Sequence, residues 1–245
     1  MALRVGVIGG GQLARMMIAP AVELGLDLRV LAEGEGMSAQ LAATAVGDYH
    51  DLETVRAFVA DVDVVTFDHE HVPQDVLRAL VADGVAVHPG PDALQFAQDK
   101  LVMRARLADL GVPQPDWAAV ASEQELQSFL DAHDGQGVVK TPRGGYDGKG
   151  VRVVRAASDA RDWFAAVPAG EALLVEELVP FVRELAQQVA RRPSGEIAAY
   201  PVVETVQRDG VCAEVIAPAP AAAERLVEVA ESIGVRIAEG LGVTG

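Results

Sequence analysis

The first ninety or so residues alternate between two hydrophobic periods, and that alternation is the strongest constraint on the fold. Arg4 to Ile8 is a short apolar run that ends in glycines. Leu13 to Leu24 has helical spacing and is closed by Gly25. Leu28 to Leu31 reads as a strand, Asp51 as the cap of a helix to about Ala60, and Val62 to Phe67 as a buried strand. Pro73 opens another helix at its first turn, and Val85 to Val87 is one more short strand. Strands separated by helices argue for an α/β fold, a parallel sheet covered on both faces.

Beyond this region the rhythm changes. Asp99 to Leu110 is a helix stopped by Gly111, and Val112-Pro113-Gln114-Pro115 is a stiff connection. Ser122-Glu123-Gln124-Glu125 is a capping box. Strands are expected at Gly137–Lys140, Val151–Val154, Leu173–Glu176, Glu184–Ala190, Ile197–Tyr200 and Val211–Val215. Helices are expected near 157–166 and 220–233. The expected division is a Rossmann-like domain over 1–97 and a second domain over 98–245, with a small lid subdomain at about 113–180.

The chain carries 20 basic and 36 acidic residues, a net charge of −16. Such a surface repels nucleic acid and anionic membrane. The apolar runs are too short to span a bilayer, the first residues lack a signal-peptide pattern, and a lone cysteine cannot form an internal disulfide. A cytoplasmic protein that engages neither membrane nor nucleic acid is expected. A phosphorylated ligand would then need a local pocket of cations or amides.

Two segments qualify. Gly9-Gly10-Gly11-Gln12-Leu13-Ala14 joins a strand to a helix and fits G-x-G-x-x-G/A, with Glu33 at the end of the next strand where a ribose-binding acid belongs. Amides at a helix N-terminus suit any phosphate, so a dinucleotide, a phosphorylated small substrate and an empty tight turn all stay open. The second segment, Lys140 to Gly150, packs four glycines and three cations into eleven residues of an acidic chain. Lys140 ends a strand and offers a fixed point charge, and the glycines supply amides that can fold over an anion. The spacing is not that of a Walker A loop. Farther on, an apolar strand ends in Glu176-Glu177-Leu178-Val179 and leads to Arg183-Glu184. A carboxylate such as Glu184 can accept both ribose hydroxyls, and the main chain of 177–179 can meet an adenine edge.

A strand lysine, a glycine flap and a later hinge with a ribose acid together resemble the ATP-grasp superfamily. Within it, the wording is similar to the 5-(carboxyamino)imidazole ribonucleotide synthetases. The matching segments are Gly9 to Met16, Asp63 to Pro73, Gln98-Asp99-Lys100, Arg143 to Gly150 and Tyr200 to Glu204. The resemblance implies a pre-ATP-grasp domain followed by an ATP-grasp domain. It implies ATP-dependent carboxylation of 5-aminoimidazole ribonucleotide with bicarbonate, through carboxyphosphate, in purine synthesis. ATP contacts would fall on Lys100, Lys140, the flap Gly145, Tyr146, Asp147, Gly148, Lys149, Gly150 and Val151, the hinge Glu176, Glu177, Leu178 and Val179, then Glu184 and Gln207. Gln207 stands where many relatives have histidine. Substrate contacts would fall on Gln12, Ser38, Glu70, Tyr146 and Lys149, with Tyr146 and Lys149 the catalytic candidates. The resemblance also implies Mg2+, a homodimer and no membrane partner.

In that family the chain continues past the segment matching Gly242–Gly245 into magnesium-binding glutamates. No metal ligand is therefore assigned here, and this polypeptide alone is expected to be inactive. His69 and His71 flank Glu70 but lack a third ligand at zinc spacing. Cys212 is expected to be a small buried hydrophobe, and Trp117 and Trp163 packing residues. Rival readings are another ATP-grasp carboxylase or formyltransferase, a nucleotide-binding fragment without activity, and a Rossmann oxidoreductase.

Overall fold

The computed structural model describes residues 2–144, 150–168, 170–208, 211–221 and 224–245. They form two compact units, Met1–Ala97 with Gly242–Gly245, and Gln98–Leu241.

In the first unit, strands β1 (Arg4–Ile8), β2 (Asp27–Ala32), β3 (Ala43–Val46) and β4 (Val64–Phe67) make a parallel sheet in the order β3-β2-β1-β4. Helices α1 (Gln12–Glu23), α2 (Leu52–Val59), α3 (Gln74–Ala82) and α4 (Pro91–Gln98) accompany it. Strand alternation sorts the side chains by face. Val7 and Val30 pack with Ala14 of α1 and with Ala39. Their neighbours Ile8, Leu31 and Val65 turn the other way, onto Val55 and Phe58 of α2 and Val76, Leu77 and Leu80 of α3. Each such large side chain, fully buried, contributes about 1.5–3 kcal/mol. Asp51 caps α2 by accepting the N–H of Thr54 at 3.2 Å. Pro73 takes the capping position of α3, one residue before the first helical turn.

Three differences from the sequence reading stand out. The strand expected at Val85–Val87 is a single bridge from Val87 to Val65. Strand β3 and helix α4 have no counterpart among the expected elements. β3 has only four residues and α4 only eight, too few for a clear period.

β2 and β3 lie on one side of β1, and β4 on the other. The sheet therefore changes its direction of growth between β1 and β4, and open α/β sheets take their ligands at the carboxyl ends of the strands at such a point. Gly9–Gly11 and Asp68–His71 follow those two strands.

The second unit begins with α5 (Lys100–Asp109), capped by Asp99, whose carboxylate accepts the N–H groups of Leu101 and Val102. Strands β5 (Trp117–Val120), β6 (Gly137–Lys140), β7 (Val151–Val154) and β8 (Leu173–Glu176) form an antiparallel sheet in the order β5-β8-β6-β7. Helices α6 (Glu123–Ala132) and α7 (Arg161–Ala166) belong to this part. Leu126, Leu130, Val139, Val154, Leu173 and Val175 form its core. Trp163 packs against that core and carries the Arg152 guanidinium 4.5 Å above its ring. β5 is a further strand absent from the expectation, because the prolines before it hide a run of four residues.

The remaining strands are β9 (Glu184–Ala186), β10 (Val189–Arg191), β11 (Ile197–Ala199), β12 (Val203–Arg208) and β13 (Val211–Ile216), followed by α8 (Glu224–Gly240). They form a sheet β13-β12-β9 and a pair β10-β11. The strand expected over Glu184–Ala190 thus splits in two, and the last helix runs past Ile233 to Gly240. Cys212 is exposed, contrary to expectation. It lies on β13, an edge strand exposed along its whole length. Among the described residues, no helix is long and apolar enough to cross a membrane.

Candidate functional site

In the first unit the glycine loop meets the loop after β4. The Asp68 carboxylate accepts the N–H of Gly11 and of Ala14, both at 2.6 Å. It caps α1 from 54 residues away in the chain. Glu33 accepts the N–H of Gly10 at 2.9 Å. Its other oxygen meets His69 Nε2 at 3.1 Å, and His69 Nδ1 accepts the N–H of His71 at 3.2 Å. With Nδ1 accepting, the ring proton sits on Nε2 and donates to Glu33. Burial works against the Glu33 charge, but the Gly10 and Glu33 amides and His69 outweigh it and hold its pKa below the usual value.

This arrangement puts the chain's own carboxylates on the first motif. The Gly10, Gly11 and Ala14 amides that would cradle a phosphate are taken by the chain's own carboxylates. Glu33, the expected ribose acid of a dinucleotide site, is engaged as well. The glycines answer to these neighbours. A Cβ on Gly9 would lie 2.8 Å from His69 Cδ2, and one on Gly11 only 2.1 Å from Asp68 Oδ2. Gly9 also has φ +106°, which glycine adopts freely.

The expected substrate residues gather around this loop. Gln12 is the first residue of α1 and is exposed. Ser38 is exposed beside the loop, because the adjacent Ala39 N–H donates to Gly10 O at 3.0 Å. Glu70 is largely buried at the carboxyl end of β4, with His71 Nε2 3.7 Å from its carboxylate. Tyr49 stands against His69, with ring centroids 4.8 Å apart. Sequence reading does not single out Asp68 or Tyr49. Asp68 falls within a matching segment, yet nothing in its spacing shows that it reaches back to Gly11.

In the second unit, the antiparallel ladder between β6 and β8 sets Val138 opposite Glu176 and Lys140 opposite Leu174, so Lys140 and Glu176 are diagonal neighbours on one face. Lys140 Nζ lies 2.5 Å from Glu176 Oε2. The other oxygen of Glu176 accepts Arg104 Nε at 2.7 Å and Nη2 at 2.6 Å. Arg104 comes from α5 and is itself braced by Gln114. Its Nη1 donates to Gln114 Oε1 at 3.3 Å, and Gln114 Nε2 donates to Arg104 O at 3.1 Å. Glu176 is only 5% exposed, while the Lys140 side chain keeps 24%. One buried carboxylate between two cations leaves a net positive charge, with the lysine facing the water.

Lys100 Nζ donates to Gly144 O at 2.6 Å, and its own N–H donates to Pro142 O at 2.9 Å. The start of α5 therefore sits against the base of the glycine-rich flap. Arg143 pairs with Asp99 at 3.1 Å, and the N–H of Thr141 donates to Gly150 O at 3.1 Å. Val151 begins β7 and is exposed. Gly145, Tyr146, Asp147, Gly148 and Lys149 lie outside the described residues.

At the hinge, the N–H of Glu177 donates to Asp116 O at 2.8 Å, and Val179 O accepts the N–H of Phe181 at 2.9 Å. These two groups are committed to the chain. An adenine edge would have to use other main-chain groups of Glu177, Leu178 and Val179. Glu184 lies directly opposite Thr205 on β12. The β12–β13 register shifts between Val206 and Gln207, with Ala213 the extra residue on β13. Gln207 is exposed. Arg104 and Gln114 also escape sequence reading. Each is a solvated polar residue by every local signal, and only the fold brings Arg104 of α5 to Glu176 at the end of β8.

Comparison with known proteins fits this division. Residues 1–98 match the family model described as the ribonucleotide synthetase preATP-grasp domain, and residues 105–245 match the ATP-grasp domain. The N5-carboxyaminoimidazole ribonucleotide synthase of Mycobacterium tuberculosis strain H37Rv is 50% identical over 244 residues. That alignment covers 98% of this chain and 57% of the relative, so the chain spans little more than half its length. The crystal structure of the N5-carboxyaminoimidazole ribonucleotide synthetase from Thermus thermophilus is similar, with a TM-score of 0.87 at 32% identity. It covers 98% of this chain and 64% of that one. The synthase of Aspergillus clavatus, solved with ADP and 5-aminoimidazole ribonucleotide, aligns with a TM-score of 0.85 at 26% identity. It covers 100% of this chain and 64% of that one.

Proposed function

This chain belongs to the ATP-grasp family, and on that premise we propose that its protein carboxylates 5-aminoimidazole ribonucleotide, using ATP and bicarbonate. The products would be N5-carboxyaminoimidazole ribonucleotide, ADP and phosphate, with carboxyphosphate as the activated carboxyl donor. The observation that carries this reading is Lys140, a cation anchored at a strand end, partly in water, beside the base of a glycine-rich flap.

Phosphoryl transfer asks the protein mainly to position groups and offset charge. Lys140 and Lys100 would hold the phosphates. The main chain of 177–179 would orient the base, and Glu184 would accept the ribose hydroxyls. Gly150 and Val151 would close the nucleotide site on the flap side. Tyr146 and Lys149 keep their proposed roles on resemblance alone, and Gln207 is a weaker nucleotide contact because it cannot become cationic. Gln12, Ser38 and Glu70 would hold the ribonucleotide at the switch point of the parallel sheet, where open α/β sheets bind ligands. Asp68 and Glu33 occupy three loop amides, so the substrate phosphate must find its partners elsewhere than Gly10, Gly11 and Ala14.

Mg2+ would accompany the nucleotide. Among the described residues no group of three His, Cys, Asp or Glu side chains could hold a metal ion. Glu176, the buried carboxylate of the site, already answers to two cations. A cytoplasmic homodimer completes the proposal, by resemblance to the family.

The test is ADP release by the purified full-length protein. It should require both bicarbonate and 5-aminoimidazole ribonucleotide. Release that ignores either one, or turnover with formate or glycinamide ribonucleotide instead, would replace this reading with that of another ATP-grasp enzyme.

A further inference from the structure

We infer that Arg104 is a positioning residue of the nucleotide site, and that it keeps Lys140 available to phosphate by neutralising Glu176. The inference rests on the nucleotide-binding reading above and names a residue that reading did not use.

Consider Glu176 alone. It is 5% exposed, and a buried carboxylate must keep a counter-ion. Were Lys140 its only partner, any phosphate drawing on that ammonium would strip the carboxylate of its charge balance. Lysine would then serve Glu176 or the nucleotide, at the expense of the other. The structure removes the conflict by dividing the carboxylate. Oε2 faces Lys140, while Oε1 is held by both Nε and Nη2 of Arg104.

The two cations are not equivalent. The Arg104 side chain is 16% exposed, and its third nitrogen is tied to Gln114, which also reaches back to the Arg104 carbonyl. Arginine's planar fork suits this fixed role. Lys140 is more open, at 24%, and its flexible stem ends in an ammonium with three donors, one of which serves Glu176. Lys140 can therefore be shared with an anion while Arg104 stays on the carboxylate. Arg104 itself need not touch the ligand.

The test uses calorimetric titration of the full-length protein with AMP-PNP and Mg2+, and with adenosine as a probe lacking phosphate. The variants are R104Q, E176Q and the double variant, with circular dichroism to confirm folding. R104Q should weaken AMP-PNP by about tenfold or more, the scale of one charge-assisted hydrogen bond, and leave adenosine within about twofold. In the double variant no charge remains to be balanced, so AMP-PNP should bind about as well as it does to E176Q. If R104Q does not fold, E176Q against the double variant still decides the matter. A further loss in the double variant, or equal losses for AMP-PNP and adenosine, would overturn the inference. A wild-type protein that binds no nucleotide would instead remove the reading on which it rests.

Discussion

The carboxylate of Asp68 accepts the N–H of Gly11 at 2.6 Å, and a methyl group on Gly11 would have to sit 2.1 Å from that same oxygen. One contact thus explains both the acid after β4 and the glycine after β1. It also ties the two strands that flank the switch point.

G11A should therefore displace Asp68 and cost α1 its cap. The Gly11 and Ala14 amides both lose a charged acceptor, so the expected loss of stability is about 1.5–3 kcal/mol. Urea unfolding of the variant measures it. An unchanged midpoint would show that the carboxylate is not bound there.

Lys140 is the cation on which the proposed nucleotide site depends. K140M should leave Glu176 still held by Arg104, so folding should survive. AMP-PNP affinity should fall by roughly 10- to 100-fold, the equivalent of about 1.5–3 kcal/mol for a charge-assisted bond. Calorimetry reads the change, and affinity equal to wild type would mean that Lys140 does not meet the phosphates.

At the opposite end of the first sheet, Asp63 meets both the N–H of Arg4 at 2.8 Å and its guanidinium at 2.8 Å. Chiefly the Arg4 side-chain hydrogen bond, then the Arg4 amide, lowers the Asp63 pKa from 3.8 to about 2. A depressed carboxylate pKa stabilises the fold above the unfolded value and loses that contribution as pH falls through the folded one. The loss should run from about pH 3.8 down to about 2. Carbon-detected NMR of the Asp63 carboxyl should give a midpoint near 2, and R4A should move it up towards 3.8. A midpoint already near the usual value in the wild type would contradict the pairing.

In the second unit, Gly240 near the end of α8 packs on Leu110. A Cβ there would lie 2.4 Å from Leu110 Cδ1. G240A should overpack this contact and cost about 1–3 kcal/mol. Combining it with L110A should recover part of the loss, because the smaller side chain makes room. Thermal unfolding of the single and double variants measures the coupling, and strictly additive losses would show that the two residues do not touch.

Much of this is legible in one dimension. Period-two and helical runs locate β1, α1, β2, α2, β4 and α3, and Asp51 and Ser122 cap the helices that they are expected to cap. The crowding of glycine and cation after Lys140, in a chain of net charge −16, marks the proposed nucleotide segment and brings out the family resemblance. These signals are local, since each depends on neighbours within a turn or a strand. β3 and β5 escape because four residues are too few to establish a period. β12 escapes because its glutamate, glutamine and arginine break the apolar pattern.

What only the tertiary structure decided is who holds each charge. Asp68 reaches Gly11 across 57 residues, and Arg104 reaches Glu176 across 72. Backbone spacing along the sequence carries no information about such pairs. The amides of the glycine loop read as a phosphate cradle in the sequence, and the fold puts two carboxylates on them. Arg104 reads as a solvated helix residue, and the fold puts it on a buried acid. A charge must be balanced where it comes to rest, and packing chooses that place.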